Sequence, residues 1–176
     1  MTHTHRHFDF YQELDQAVNQ RLALSGHCAQ TTFAVLVEAF GLNGRQILKA
    51  LTVAPGVALR GETCGAALGG LLALGLVYGR DDLGDMITFL SALPPARRFC
   101  RAFEAANGAM SCAAIQEHHL GRPFDLARQQ AFIDYLHSGG YEVCAGVVKE
   151  AVRLAAAELL VAEADEASAQ DVWRTV

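Results

Sequence analysis

The sequence has five cysteines but no two of them lie two to four residues apart. A structural zinc site usually shows such pairs, so zinc is disfavoured. There is no Cys-x-x-Cys-His, which excludes covalent c-type haem. Prolines number only four, and no linker, low-complexity tract or internal repeat interrupts the chain. With 176 residues, that fits one domain. No stretch alternates apolar and polar residues long enough to make a strand. No apolar run reaches the roughly 20 residues a membrane span needs. Basic side chains are outnumbered, 14 to 19, for a net charge of -5, which argues against nucleic acid as the main partner. The opening Met1-Thr2-His3-Thr4-His5-Arg6-His7 lacks the apolar segment of a secretory signal. The expectation is therefore a cytoplasmic protein. Stable disulfides are rare in that compartment, so the cysteines read as free thiols, metal ligands or redox groups, with one left over from any paired scheme.

What is present is helical patterning. Phe10, Leu14, Val18 and Leu22 recur every four residues, an amphipathic helix from Phe8 to about Leu24. Ser25-Gly26 breaks it, and a second helix opens at His27-Cys28 and stops at Gly41. Asn43 can cap a third, ending before Pro55-Gly56, and 54–61 is a loop with Gly56 and Gly61 as hinges. Thr63 can cap the next helix, which carries Gly65, Gly69 and Gly70 and no charge until Arg80. Being apolar on every face, it should be buried all round. Gly65 and Gly69 share one face, where another helix or a cofactor could approach the backbone. A helix starting at Asp81-Asp82 should end or kink at Pro94-Pro95 and resume to Ala106. Three more follow: from Cys112, from Asp125 to about His137, and from Tyr141 through Leu160. The expected fold is all-α, a single-domain bundle of roughly eight helices around the buried Gly-rich helix. The expected division is a flexible N-terminus over 1–7, a helical four-cysteine redox domain over 8–162, and an acidic solvated tail over 163–176 with Trp173 docking back. His3, His5 and His7 read as a frayed terminus rather than a metal grip.

Cys28, Cys64, Cys112 and Cys144 each follow a turn and sit near a helix start. Free N–H groups and partial positive charge there should lower a thiol's pKa and donate to a cluster's sulfurs. Cys100 lies mid-helix and reads as a packing residue. Four such thiols suit an iron–sulfur cluster, a pair of dithiol–disulfide couples, or plain burial of small residues. A Cys–His dyad of His27 with Cys28 is disfavoured, because adjacent helical residues point about 100° apart. Glu62, Tyr78, Arg80 and His118 lie near the cysteine-bearing ends, with no spacing that assigns them a role.

Cys28 in His-Cys-Ala-Gln, Cys64 in Cys-Gly-Ala-Ala-Leu-Gly-Gly, and single cysteines at 112 and 144 together resemble the redox-active protein family named for the motif C…GCAxxG…C…C. The resemblance runs from about Leu22 to Leu160. It departs from the motif around Cys64, where the order is Thr63-Cys64-Gly65-Ala66 and Gly69 follows five residues after the cysteine rather than four. It implies redox activity, and some relatives join this module to haem or iron–sulfur electron-transfer proteins. It carries over Cys28, Cys64, Cys112 and Cys144 as cofactor and metal ligands, with Gly65 and Gly69 as backbone-approach positions. The leading expectation is an iron–sulfur cluster at converging helix N-termini, used in electron transfer. The alternative is a metal-free thiol–disulfide protein pairing Cys28 with Cys64 and Cys112 with Cys144; a helical assembly module without chemistry is the third reading. Expected partners are a redox partner protein, or a small-molecule thiol or anionic substrate, with a homodimer as a further option. Neither catalytic residues nor electron donor and acceptor can be named from the sequence.

Overall fold

The computed structural model describes the backbone of residues 3–174 and the side chains of residues 8–163. The readings of His3, His5, His7 and Trp173 lie outside the described side chains. The four-residue apolar spacing of the first segment produces α1 (His3–Ser25), which buries Leu14, Val18 and Leu22. Gly26, at φ +60°, turns the chain. α2 (Cys28–Ala39) follows and buries Phe33, Val35 and Leu36. α3 (Arg45–Ala50) passes into a 3-10 turn, Leu51–Val53. α4 (Gly65–Tyr78) is the Gly-rich helix. α5 (Met86–Asn107), α6 (Cys112–Leu120), α7 (Gln129–His137) and α8 (Gly140–Arg174) complete the order. Among the described residues the chain is all-α, with eight right-handed helices and no strand. No described helix is long and apolar enough to cross a membrane.

The core lies where α2, α4 and α8 meet one another, with α1 and α5 laid against them. Phe33 and Leu36 of α2, Leu74 of α4, Phe99 and Phe103 of α5, and Val148, Val152 and Leu159 of α8 are all essentially inaccessible. Small residues make the closeness possible. A Cβ on Gly69 would stand 2.5 Å from the Ala29 carbonyl oxygen, and one on Gly70 would stand 2.6 Å from the Phe99 ring. Two exposed arginine–carboxylate pairs tie outer helices to α8, Arg98 to Glu158 and Arg153 to Asp15.

Several local expectations need correction: α1 starts at His3 rather than Phe8, and α7 at Gln129 rather than Asp125. α4 is not buried all round: Leu72 is 39% exposed and Gly75 also faces solvent. Seven neighbouring helices cannot all surround one helix of 14 residues, so the centre is shared with α2 and α8. α5 starts at Met86, because Asp85, not Asp81-Asp82, accepts from the Thr88 N–H as its cap. It runs unbroken through Pro94 and Pro95; proline's fixed φ is helical, so the axis continues although hydrogen bonds are lost, and Phe99 and Phe103 anchor the second half. The final helix passes Leu160 and continues to Arg174.

The loop before α4 holds a feature with no counterpart in the sequence pattern. Gly56, Val57, Ala58 and Leu59 all have positive φ, between +49° and +61°. They form one left-handed helical turn, closed by Leu59 N–H to Pro55 O at 2.7 Å and Arg60 N–H to Gly56 O at 3.0 Å. Left-handed turns of L-residues cost roughly 1–2 kcal/mol per residue through Cβ–carbonyl crowding. Three successive non-glycine residues there make this the most strained segment of the described backbone.

Candidate thiol redox site

Four different segments bring the cysteines to one end of the bundle. His27 caps α2: its Nδ1 accepts from the Gln30 N–H at 3.2 Å, which leaves Nε2–H to donate to the Thr52 carbonyl at 3.0 Å. Both ring nitrogens are thereby engaged, so His27 is a cap that fixes Cys28 at the first position of α2 and not a base for it. Cys64 is itself the N-cap residue of α4, one position earlier in the helix than expected from Thr63 as cap. Cys112 is the first residue of α6, behind the Ser111 cap. The starts of α4 and α6 are clipped together by a single antiparallel bridge, Thr63 to Ser111. Its bonds are Cys64 N–H to Met110 O, 2.8 Å, and Cys112 N–H to Glu62 O, 2.6 Å. The backbones carrying two of the thiols are therefore held side by side. Cys144 enters one turn inside α8, which starts at Gly140.

Cys28, Cys64, Cys112 and Cys144 line one cavity of about 490 Å³; Cys100, half-buried on α5, does not. The left-handed turn forms part of its wall through Ala58 and Leu59. Gly65 and Gly69 are not on that wall. They face α2, where a Cβ on Gly65 would meet the Cys28 sulfur at 2.6 Å. Their role in this structure is to let α2 and its cysteine come close.

Within the cavity Cys28, Cys144 and Tyr135 are close enough to shift one another's acidity. The Tyr135 hydroxyl donates to the Gly140 carbonyl at 2.5 Å. Gly140 allows the arrangement, since a Cβ there would fall 2.2 Å from the Tyr135 ring. Phe124 and Phe132 pack against Tyr135 at ring separations of 5.7 and 6.3 Å. Gln116 reaches Cys112 with Nε2 at 3.5 Å and holds the Phe124 N–H with Oε1 at 2.8 Å. Tyr135 and Gln116 were not singled out in the sequence; the only local trace is the Gly139-Gly140 pair shortly after the tyrosine.

Helix starts do not lower these thiols as a group. The Cys28 thiol is held well above its ordinary value, first by its hydrogen bond to Cys144 and then by burial. Burial pushes Cys64 up to about 12, against a lowering from the Ala67 and Ala66 N–H groups that is too small to offset it. Burial likewise pushes Cys112 up to about 11. Loss of water around a thiolate outweighs the partial charge of a helix terminus at these depths. Cys144 alone is lowered, chiefly by the hydrogen bond from Cys28 and further by that from Tyr135, despite its burial. Of the two, Cys144 gives up its proton more readily than Cys28.

Among the described residues no three His, Cys, Asp or Glu side chains are grouped so as to hold a metal ion. The geometry thus does not fit a single ion such as zinc, whose ligands crowd within roughly 2.3 Å of one centre. A cluster separates its ligands around its own core, and four thiols on one cavity wall are the donor set it takes. No curated protein and no solved structure matches the chain. The sequence model of the family described as "Putative redox-active protein (C_GCAxxG_C_C)" matches residues 26–158, a span that holds all four cavity cysteines, and the chain belongs to that family.

Proposed function

We propose that this protein performs two-electron thiol–disulfide chemistry with Cys28 and Cys144 as its couple. What supports the reading is that Cys28 and Cys144 line one buried cavity, where each shifts the other's acidity, Cys28 upward and Cys144 downward. The Cys144 thiolate attacks a disulfide sulfur, forming a mixed disulfide and releasing one thiolate. Cys28 then gives up its proton and attacks the Cys144 sulfur, releasing the second thiol and closing the Cys28–Cys144 bond. Tyr135 favours the deprotonated form of Cys144. Equilibration of the full chain in dithiothreitol buffers, followed by alkylation and peptide mass spectrometry, tests this. A Cys28–Cys144 disulfide with a defined midpoint is expected; free thiols in every buffer would overturn it.

A second reading is supported by the placement of four cysteines on one cavity. Cys28, Cys64, Cys112 and Cys144 would hold an iron–sulfur cluster, which when bound supplies one-electron transfer. The raised thiols would have to shed protons to bind it, so loading would be favoured by alkaline pH. Anaerobic purification with iron and acid-labile sulfide assays tests it, and a colourless, iron-free protein would rule it out.

A further inference from the structure

The first half of α5 carries apolar side chains on the face turned away from the core. Phe99 and Phe103 are buried on its inner face. Met86, Leu90, Leu93, Arg97 and Arg101 follow one another at steps of three or four residues, which places them in one stripe along the helix. All five are exposed. Ile87 borders the stripe at 80% exposure, and Leu83, in the turn before the helix, is 84% exposed. No charged residue occurs between Asp85 and Arg97. Taking about 200 Å² for a whole large side chain, the exposed fractions of Leu83, Met86, Ile87, Phe89, Leu90 and Leu93 come to roughly 700 Å². Single exposed leucines need no explanation, but a contiguous apolar patch of this size marks an interaction surface. The area is close to the about 800 Å² that each partner buries in a standard stable interface.

The charges at its two ends identify what covers it. Asp81 and Asp82 are exposed in the turn before α5, and Arg97 and Arg101 continue the stripe beyond Leu93. None of these four has an ion-pair partner among the described residues. Their neighbours are already engaged: Asp85 caps the helix, Arg98 is held by Glu158, and Arg80 lies over the Phe89 ring at 5.0 Å. The face is therefore acidic at one end, apolar and uncharged in the middle, and basic at the other. Such a face is its own complement when two copies meet antiparallel about a two-fold axis. With the axis at Leu90, Arg97 lies seven residues away, about 10 Å along the helix, level with the acidic turn of the second copy. A parallel pairing would set aspartate against aspartate, and an anionic lipid surface would meet Asp81 and Asp82 with like charge. We propose that this face joins two copies of the chain in an antiparallel two-fold dimer through α5. No residue of the stripe lines the cysteine cavity, so the inference stands apart from the thiol reading.

The test is sedimentation velocity of the full chain over a range of micromolar concentrations, in reducing buffer so that no cysteine links the copies. The expected mass is twice the 18.9 kDa of one chain. Leu90→Glu places like charges at the axis and is expected to weaken the dimer at least about tenfold, with an unchanged circular dichroism spectrum because Leu90 is exposed. Two charge reversals test the orientation. The variants Arg97→Asp/Arg101→Asp and Asp81→Arg/Asp82→Arg should each dimerise more weakly than the parent chain, and an equimolar mixture of the two should restore the dimer. A single-chain mass for the parent at every concentration, or a dimer indifferent to Leu90→Glu, overturns the proposal. A mixture that associates no better than either variant alone overturns the antiparallel pairing. A parent chain that stays single and co-sediments with phosphatidylcholine vesicles assigns the face to a lipid surface and overturns the dimer.

Discussion

Replacing glycine by alanine at two positions of α4 should change stability in opposite directions. In a helix interior alanine is favoured over glycine by roughly 1 kcal/mol. At Gly75 an added Cβ meets nothing within 4 Å, so Gly75→Ala should stabilise by about that amount. At Gly69 the same atom would stand 2.5 Å from the Ala29 carbonyl oxygen, 3.0 Å from Thr32 Cβ and 3.1 Å from the Phe33 amide nitrogen. Two of those are backbone atoms of α2 and cannot rotate aside, so α2 and α4 must separate where Phe33 is fully buried. Overpacking costs about 1–3 kcal/mol, and rigid neighbours place this site at the upper end. Net of the propensity gain, Gly69→Ala should destabilise by about 2 kcal/mol, leaving the two variants about 3 kcal/mol apart. Urea unfolding followed by circular dichroism gives both values, with the slope m unchanged if only the native state is affected. Because α2 carries Cys28, Gly69→Ala should also slow Cys28–Cys144 disulfide formation. Equal midpoints for the two variants would refute the claim that glycine at 69 is there to admit the α2 backbone.

Three further outcomes follow from the site. In the native protein Cys144 should be alkylated by iodoacetamide before the other cavity cysteines, while Cys64 and Cys112 stay unreactive until the pH approaches about 11 to 12; Tyr135→Phe removes one hydrogen bond and should move the Cys144 profile to higher pH, as read by peptide mass spectrometry. Burial raises Cys64 in the folded state, so the folded chain keeps a proton that the unfolded chain loses from about pH 9 upward; stability is intact below that pH and should fall by up to about 1.4 kcal/mol per unit between about 9 and 12, a slope that Cys64→Ala should reduce in urea titrations at stepped pH. Ala58→Gly relieves one left-handed residue worth roughly 1–2 kcal/mol, offset by about 0.5–1 kcal/mol of added unfolded-state freedom, so thermal unfolding should show a small gain; a clear loss would mean that the turn is not strained.

The helices were legible where their signals are local. The four-residue spacing of Leu14, Val18 and Leu22, the cap at His27-Cys28 and the glycines at 26 and 41 place the end of α1 and both ends of α2 within a residue or two, while α1 starts five residues before Phe8. The recurrence of cysteine at helix starts identified the four thiols that line the cavity. Their pairing was not legible, because α2 meets α8 through packing across most of the chain. Nor were their acidities, since burial is a tertiary property and here opposes the helix terminus. Val57, Ala58 and Leu59 carry no local preference for left-handed backbone. Around them Glu62 N–H bonds to the Gly56 carbonyl, and Gly56 lies against Cys112, so long-range contacts hold what local chemistry resists.

The Thr63–Ser111 bridge and the Cys28–Cys144 contact both join segments far apart in the chain. Neither can form while only one of its partners has been synthesised. In a nascent or partly unfolded chain, the shielding that raises Cys28, Cys64 and Cys112 is missing, and thiols that burial keeps protonated regain ordinary acidity. Reactivity is therefore inverted between the two states: folding silences three of the cavity thiols and arms one. A chain that meets an oxidant before α8 docks exposes cysteines the finished bundle covers, among them Cys64 and Cys112, whose backbones the bridge holds side by side. The order in which the bundle closes, as much as the finished cavity, decides which sulfurs become joined.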